Sequence, residues 1–259
     1  MTAREVVEAI RKNVGVPWNE KTYRDTFKVG DPDTVVTGIA TTMLTTFDVI
    51  QRAHQAKLNM IITHEGTWWN DRDDTKDLVE MPLYKLKSEF CRKTGVVIWR
   101  FHDHQHSRVP DQSVVALLRL VGVQDEKAGI QSGVRTIPET TLSALASLIK
   151  KNTGVRAMRV VGDPNLKVSR IAVGPGYAYP RMTADVDVVI GGEAPESDGM
   201  FDITSYVRDA AALGIPKGQI IIGHMVSEED GMEEFARWLR GCVTGVPIQL
   251  VRAGEPYWT

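Results

Sequence analysis

Histidine and glutamate occur together where an apolar segment of the sequence ends. His64 and Glu65 follow the run LNMIIT at positions 58–63, and Gly66 permits a sharp turn after them. In open α/β sheets, ligands bind at the carboxyl ends of parallel strands. Two adjacent ligands at such a turn would serve two metal ions, or one ion and its water. The same pair is also explained as a capping or loop-stabilising dipeptide, so this segment alone leaves both interpretations open.

Three further histidines follow the apolar run VVIWRF at positions 96–101. His102, His104 and His106 alternate with other residues and make up half of the six histidines in the chain. In an extended segment they would share one face, about 6–7 Å apart from one to the next. A dense histidine cluster is typical of metal binding or proton transfer, although a surface loop can carry one by chance.

The third polar strand end is the segment IIIGHMVSEEDG. His224 follows the strand-like run, and Glu228 falls in the first turn of a helix for which we predict Ser227 as the N-cap and Gly241 as the stop. The intervening turn would bring the imidazole and the carboxylate together. Carboxylates at positions 228–230 also complement a helix N-terminus electrostatically, but that explanation does not account for His224.

The three segments together offer imidazole and carboxylate donors without thiolate, a set that suits Zn, Mn, Fe or Ni. They hold more ligands than one ion needs, which predicts two divalent ions per chain. Two ions lower the pKa of a bridging water and stabilise a developing oxyanion, which is hydrolytic chemistry. Glu193 and Glu196 end another strand-like run, and they are candidates for groups behind the ligands or beside the substrate.

Strand-like and helix-like segments alternate along most of the chain, which predicts parallel strand pairing and an α/β fold. The layout of 38–66 resembles that of 170–196, and we therefore expect two related α/β lobes. We assign the first lobe to 1–125, completed by the C-terminal segment, and the second to 126–259. The loop-like stretch 122–140 is the candidate boundary.

Composition excludes several classes of protein. The formal net charge is −2 and Lys and Arg are scattered, so we expect no binding to nucleic acid or to an anionic membrane. We also expect no membrane-spanning segment and no signal peptide, because long apolar runs are missing. The two cysteines, Cys91 and Cys242, lie far apart, which favours a reducing compartment and a cytoplasmic protein. Motifs of serine hydrolases, zincins and nucleotide-binding loops are also missing.

The ordered segments resemble those of the Nif-three-like dinuclear metal-centre family, hexameric proteins of which some are named type-two GTP cyclohydrolase I. The resemblance runs through nearly the whole chain. It rests on the segments VPWNEKTYRDTFKVGDP, IITHEG, RFHDHQH, SRIAVGPG, VVIGGE and GHMVSE. The last segment is the most specific, because the family pattern there is Gly-His-x-x-Ser-Glu.

The resemblance implies which residues hold the metals. The metal-binding His-His of the family falls on His64 and Glu65. Its His-Thr-Asn-x-Asp falls on residues 102–106, and the terminal Asp of that pattern is a ligand. Its last His and Glu fall on His224 and Glu228.

Two of these positions depart from the family pattern, since Glu65 replaces a histidine and His106 replaces the aspartate. The exchange moves a carboxylate from one segment to the other and keeps the ligand count about the same, as expected of a rearranged site. We predict metal ligands at His64, Glu65, His102, His106, His224 and Glu228, and catalytic roles for His104 and Glu228. Which of the three histidines at 102–106 are ligands stays open.

The resemblance further implies a toroidal homohexamer with a dinuclear metal site in the cleft between the two lobes of each chain. We expect a metal-dependent hydrolase in which activated water attacks a C–N bond of a small cyclic or amide substrate. The alternative is a non-catalytic metal-binding regulatory or scaffold protein of the same fold. A metallophosphatase or nuclease is disfavoured, because the basic groove and the Asp-rich motifs of those enzymes are missing.

Overall fold

Two compact units divide the chain. The computed structural model describes residues 1–130, 133–178, 180–194 and 202–258. The first unit joins Met1–Arg108 to Met232–Ala253, and the second joins Val109–Gly231 to Gly254–Thr259. The change of unit therefore falls after Arg108, and not within the stretch 122–140 that the sequence pointed to.

The first unit, all of whose residues are described, is built on a five-stranded sheet. Its strands are β1 (Phe27–Val29), β2 (Ile39–Thr42), β3 (Met60–Thr63), β4 (Val97–Arg100) and β10 (Ile248–Leu250). Its helices include α1 (Ala3–Asn13), α2 (Phe47–Gln55), α3 (Pro82–Thr94) and α4 (Asp103–Ser107). The strand order is β1-β4-β3-β2-β10, in which only β1 is antiparallel to its neighbour.

The central strands β2, β3 and β4 are buried along their whole length, as expected of parallel strands covered on both faces. Ile50 of α2 and Cys91 of α3 belong to the cluster that covers one face. The three strands end level, because Thr42 pairs with Thr63 and Thr63 pairs with Arg100. The residues that follow the strands therefore emerge at one edge of the sheet.

Side-chain caps from nearby residues begin two helices of this unit. Thr2 and Glu5 form the capping box of α1, in which each side chain accepts a backbone N–H bond from the other residue. Thr46 caps α2 through its hydroxyl, which accepts the N–H of Val49. The strand–helix–strand spacing also gives the predicted parallel pairing of β2 with β3.

The described part of the second unit holds another five-stranded sheet. Its strands are β5 (Arg135–Thr141), β6 (Arg159–Val161), β7 (Lys167–Gly174), β8 (Val188–Gly191) and β9 (Gly218–Ile221). Its helices include α5 (Gln112–Leu120), α6 (Leu142–Thr153) and α7 (Ile203–Ala212), and α8 (His224–Leu239) begins here and ends in the first unit. Among the helices described, none has both the length and the apolar character that a membrane crossing requires.

The second sheet has the strand order β5-β7-β8-β9-β6, and β7, β8 and β9 run parallel. These three strands also end level, since Gly174 pairs with Gly191 and Gly191 with Ile221. Strand β5 lies in the stretch that the sequence indicated as loop. It is an edge strand with Pro138 in its middle and few buried residues, so it lacks the apolar alternation by which strands are recognised.

Candidate metal centre

The carboxyl ends of β3 and β4 carry the first group of predicted ligands. Beyond the last paired residues, the Phe101 N–H donates to the Thr63 carbonyl at 2.9 Å. The His64 N–H donates to the Thr42 carbonyl at 3.0 Å, and the His64 side chain is fully buried. The backbone is therefore still held by the sheet at the point where the first candidate ligand appears.

The histidine-rich segment forms the short helix α4, so the extended conformation considered for it is wrong. Three backbone N–H groups at its start, from His102 to His104, donate to the Asp25 carboxylate at 2.6–2.9 Å. This fully buried carboxylate supplies the acceptors that the first turn of a helix needs. His102 and His106 are one helical turn apart and share a face, whereas His104 lies on another side of the helix.

The folding of α4 brings His102 and His106 together with His64. One ligand nitrogen from each of the three lies within 4.8 Å of the other two. His64 Nε2 is 3.1 Å from His106 Nε2. The His102 ring stacks on the His64 ring with centroids 4.5 Å apart, and the His106 ring stands edge-on to both.

Hydrogen bonds to the far side of two rings fix which nitrogen carries the proton. His64 Nδ1 lies 3.2 Å from the Phe101 carbonyl oxygen, and His102 Nδ1 lies 3.0 Å from Asp103 Oδ1. Both oxygens are acceptors, so each Nδ1 carries the N–H and each Nε2 presents a lone pair. The hydrogen bond from His102, with help from the Thr22 hydroxyl and against the effect of burial, holds the pKa of Asp103 well below its usual range.

Glu65 shares its carboxylate between an arginine and the cluster. Arg100 Nη2 lies 2.6 Å from Glu65 Oε2, and the Arg100 side chain has no exposed surface. The same guanidinium donates to the His64 carbonyl through Nε at 3.0 Å. Glu65 Oε1 lies 3.7 Å from His102 Nε2. One carboxylate oxygen is therefore ion-paired, and the other faces the imidazoles.

Asp71 holds the same arginine from the more exposed side. Its Oδ1 lies 3.1 Å from Arg100 Nη2, and Arg24 makes two further hydrogen bonds to the carboxylate at 2.7 and 2.8 Å. Burial raises the pKa of Asp71, but hydrogen bonds from Arg24, Tyr23 and Arg100 outweigh it and lower the pKa to about 2. Asp71 is therefore a carboxylate that stays ionised and fixes the guanidinium in place.

His104 lies outside the imidazole group. Its Nδ1 faces the Asp25 carboxylate, and its Nε2 accepts the backbone N–H of Asn19 at 2.8 Å. Its ring stacks flat on Trp18, with centroids 3.7 Å apart. Both ring nitrogens are thus used in holding the loop before β1 against α4. The catalytic role predicted for His104 stays a prediction.

In the second unit, the last helix begins at His224, so the prediction of Ser227 as its N-cap is wrong. His224 and Glu228 are therefore one turn apart on the same helix, with Nε2 and Oε2 separated by 3.0 Å. His224 Nδ1 lies 3.0 Å from Glu193 Oε1. Glu193 thus stands behind the imidazole, whereas Glu196 lies outside the described residues.

Two glycines allow the backbone to approach this helix start closely. A Cβ atom on Gly176, whose φ is +52°, would lie 2.7 Å from His224 Nε2 and 2.8 Å from Glu228 Oε1. A Cβ atom on Gly192 would lie 2.5 Å from Ser227 Oγ. The Gly176 N–H donates to Ser227 Oγ at 2.9 Å, which ties the turn after β7 to the helix. A larger side chain at Gly176 would displace the candidate ligands, and one at Gly192 would displace Ser227.

Both clusters have the donor chemistry of a metal site. A tetrahedral ion with Zn–N bonds of about 2.1 Å keeps its ligand atoms about 3.4 Å apart, close to the 3.1 Å between His64 Nε2 and His106 Nε2. In the second cluster, Nδ1 of His224 gives its N–H to Glu193. A proton or a metal cation must therefore lie between Nε2 and the Glu228 oxygen 3.0 Å away.

The residues that support these clusters were mostly missed from the sequence. Asp25 caps α4, which lies 77–79 positions further along the chain, and nothing in the polar stretch around Asp25 indicates this role. Arg100 was visible as a charged residue inside the apolar run VVIWRF, and that placement was the available signal. Glu193 was the exception, because it was a candidate supporting group and lies against His224.

Comparison with known proteins agrees with the resemblance. A sequence model of Duf34/NIF3 (NGG1p interacting factor 3) matches residues 1–253. The chain belongs to this family. A curated relative of this NIF3-family chain, the GTP cyclohydrolase 1 type 2 homolog of Clostridium acetobutylicum, is 25% identical over 232 residues. The match covers 83% of this chain and 81% of the relative.

Solved structures of NIF3-related proteins share the fold. A Bacillus cereus protein related to NIF3 matches with a TM-score of 0.76 and 14% identity, over 100% of this chain and 99% of the other. The Staphylococcus aureus protein SA1388 matches with a TM-score of 0.73 and 16% identity, over the same shares of the two chains. At these identities the likeness is one of fold, and it confirms the predicted α/β architecture.

Proposed function

We propose that this chain is a metal-dependent hydrolase that cleaves a C–N bond of a small cyclic or amide substrate, using two divalent ions. The observation that carries the proposal is the group of three imidazoles, His64, His102 and His106, whose ligand atoms lie within 4.8 Å of one another. The group stands at the carboxyl edge of parallel strands, where α/β folds bind ligands. Zn, Mn, Fe and Ni all suit nitrogen and carboxylate donors.

In this proposal the three imidazoles hold one ion, and His224 with Glu228 holds the other. Bound divalent ions supply Lewis acidity, which lowers the pKa of water and stabilises negative charge on the substrate. The protein orients the ligands, because the Phe101 carbonyl and Glu193 hold the N–H on Nδ1 of His64 and His224. We also propose, as the sequence predicts, that Glu65 is a metal ligand and that Glu228 and His104 have catalytic roles.

The name of the Clostridium relative supports a first substrate. That relative is called a GTP cyclohydrolase 1 type 2 homolog, and GTP is a small molecule with ring C–N bonds. GTP is therefore the first compound to test, followed by lactams and amides. We further propose that the protein is cytoplasmic. We propose that it forms a homohexamer, and membership of the family supports this assembly.

The test begins with the metal content of purified protein. We expect about two equivalents of divalent metal per chain by elemental analysis. Removal of the metal with a chelator should abolish hydrolysis of the active compound, and metal addition should restore it. Folded, metal-free protein that retains its activity would refute the proposal.

Variants separate the enzyme from a metal-binding scaffold. His64→Ala should lose metal and turnover, whereas His54→Ala, at an exposed position of α2, should change neither. Glu228→Gln should lose turnover and keep its fold and assembly state. A loss of assembly or of partner binding, with no hydrolysis of any compound by the wild type, would favour the regulatory or scaffold alternative.

A further inference from the structure

We propose that Tyr177 is a substrate-contacting residue, and that the substrate carries a planar conjugated ring that stacks on the Tyr177 side chain. The inference rests on the proposed function in one respect, namely that the substrate binds at the second cluster, which is His224 with Glu228. It goes further by choosing between the two substrate classes of that proposal, because it favours a planar cyclic compound over an acyclic amide.

The Tyr177 ring lies in direct contact with a candidate ligand. Its centroid is 4.8 Å from the centroid of the His224 ring, and the two ring planes are perpendicular. In a perpendicular pair one ring presents an edge to the face of the other, so His224 covers at most one face of Tyr177. A compound that binds beside His224 therefore meets an aromatic ring.

Tyr177 differs in exposure from the cluster beside it. The residue is 62% exposed, whereas the side chain of His224 is 15% exposed and that of Glu228 is 3% exposed. The candidate ligands are thus recessed, and the aromatic ring next to them is open to solvent. One exposed aromatic residue is ordinary on a protein surface, so the contact with His224 is what connects this ring to a binding site.

The backbone around Tyr177 is held in place by its neighbours. The Gly176 carbonyl accepts the N–H of Glu193 at 3.1 Å, which ties the turn to the loop after β8. The Ala178 N–H donates to the Pro175 carbonyl at 2.8 Å and closes the turn. A ring presented by a fixed turn loses little conformational freedom when a ligand binds to it.

The chemistry of the phenol ring indicates which ligands it favours. It offers a flat, uncharged π face, on which planar conjugated rings stack in offset or edge-to-face arrangements. Such stacking tolerates different heterocycles, because each of them has a π face. An acyclic amide has no ring to place there. Removal of one stacking side chain weakens the binding of a heterocyclic base by about tenfold or more.

The test compares two probes that differ in their ring, with dissociation constants measured by calorimetry on the full-length protein. GTP and inorganic tripolyphosphate share a triphosphate, but only GTP carries a planar ring. Tyr177→Ala should weaken GTP binding by about tenfold and leave tripolyphosphate binding unchanged. Tyr177→Trp, which keeps a flat aromatic face, should retain the affinity for GTP. Tyr257→Ala is the matched control, because Tyr257 is 60% exposed.

The metal content of the variants distinguishes contact with the substrate from support of the ligands. Tyr177→Ala should bind as much metal as the wild type, because His224 keeps its hydrogen bond to Glu193. Loss of metal in this variant would overturn the inference. Unchanged GTP affinity in Tyr177→Ala, or a wild type that binds GTP no more tightly than tripolyphosphate, would overturn it as well.

Failure of the proposed function gives a different result. A protein that binds GTP through Tyr177 but hydrolyses no compound would refute the hydrolase and support the role of Tyr177. Hydrolysis of an acyclic amide at the same rate by the wild type and by Tyr177→Ala would support the hydrolase and overturn the inference.

Discussion

The two sheets position their candidate ligands in the same way but surround them with different charges. Each has three parallel strands that end level, with a glutamate two residues beyond the middle strand. Each has a histidine at the start of the helix after the third strand, and another donor four residues later. The corresponding residues are Glu65 and Glu193, His102 and His224, and His106 and Glu228.

The difference lies in the last residue of the third strand. Arg100 occupies the register position in the first sheet that Ile221 occupies in the second. Arg100 binds the nearby carboxylate of Glu65, whereas Glu193 instead accepts a hydrogen bond from His224. The topology therefore places the candidate ligands at corresponding positions in the two sheets. The last residue of the third strand differs, and with it the partner of the neighbouring carboxylate, which is an arginine in the first sheet and an imidazole in the second.

The largest effect is expected from removing the carboxylate that organises α4. Asp25→Ala should lower the free energy of unfolding by about 3–5 kcal/mol, because three backbone N–H groups and His104 lose a buried charged acceptor. Metal binding at the first cluster should be lost with it. Chemical denaturation measures the first effect. Asp33→Ala, at an exposed ion pair with Arg4, should leave stability nearly unchanged. Equal losses in the two variants would contradict the role of Asp25.

The corresponding change in the second unit is smaller. Gly176→Ala should cost about 1–3 kcal/mol of unfolding free energy, because its Cβ atom meets His224 and Glu228 and its φ is positive. It should impair the second cluster and spare the first. Gly133→Ala is the control, since a Cβ atom there meets nothing within 4 Å. An unaltered second cluster in Gly176→Ala would show that the close approach is not needed.

The two glutamates provide the sharpest contrast. Glu193→Gln should weaken metal binding at the second cluster by about 10–100-fold, the usual effect of losing a group that orients a ligand histidine. Glu65→Gln should weaken metal binding at the first cluster less, because Arg100 already shares that carboxylate. Chelator competition on both variants measures the difference, with Glu80→Gln, in an exposed ion pair with Lys85, as the control. Equal effects of the two changes would remove the distinction drawn between the sheets.

The smallest effect concerns the acid range. The folded-state pKa of Asp71 is about 2, below its ordinary value, so its ionised form adds stability above about pH 4 that disappears as the pH falls toward 2. The side chain is half exposed, so the contribution should be below about 1 kcal/mol. Urea unfolding of wild type and Asp71→Asn should differ near about pH 6 and converge near about pH 2.5. A constant difference across this range would exclude the linkage.

The sequence predicted the parallel strands and the residues at their ends well. Short apolar runs alternating with capped amphipathic helices predicted the parallel strands, and their polar ends identified His64, His102, His106 and His224 as neighbours of strand termini. These features are local, because a cap or a strand end is set by residues within a few positions. Pairs such as Thr2 and Glu5 are therefore visible without the fold.

Long-range contacts set the details that could not be predicted. The segment after β4 is helical because of Asp25, and His104 turns from the histidine cluster to Trp18 and Asn19. The first residues of α8 were assigned to a turn because Ser227 resembles an N-cap, yet its hydroxyl donates to the His224 carbonyl within the helix. In each case a polar side chain has several local uses, and only the tertiary structure selects one.

The contact between Asp25 and α4 has a consequence for the order of folding. A helix of five residues has no stability of its own, since nucleation costs more than so few hydrogen bonds return. Its cap comes from a residue 77–79 positions earlier, so the helix can form only after that long loop has closed. We therefore expect the amides of α4 to gain hydrogen-exchange protection late in refolding, after β3 and β4 have paired. The histidines of the first cluster would then be brought together by one of the last steps of folding in this unit.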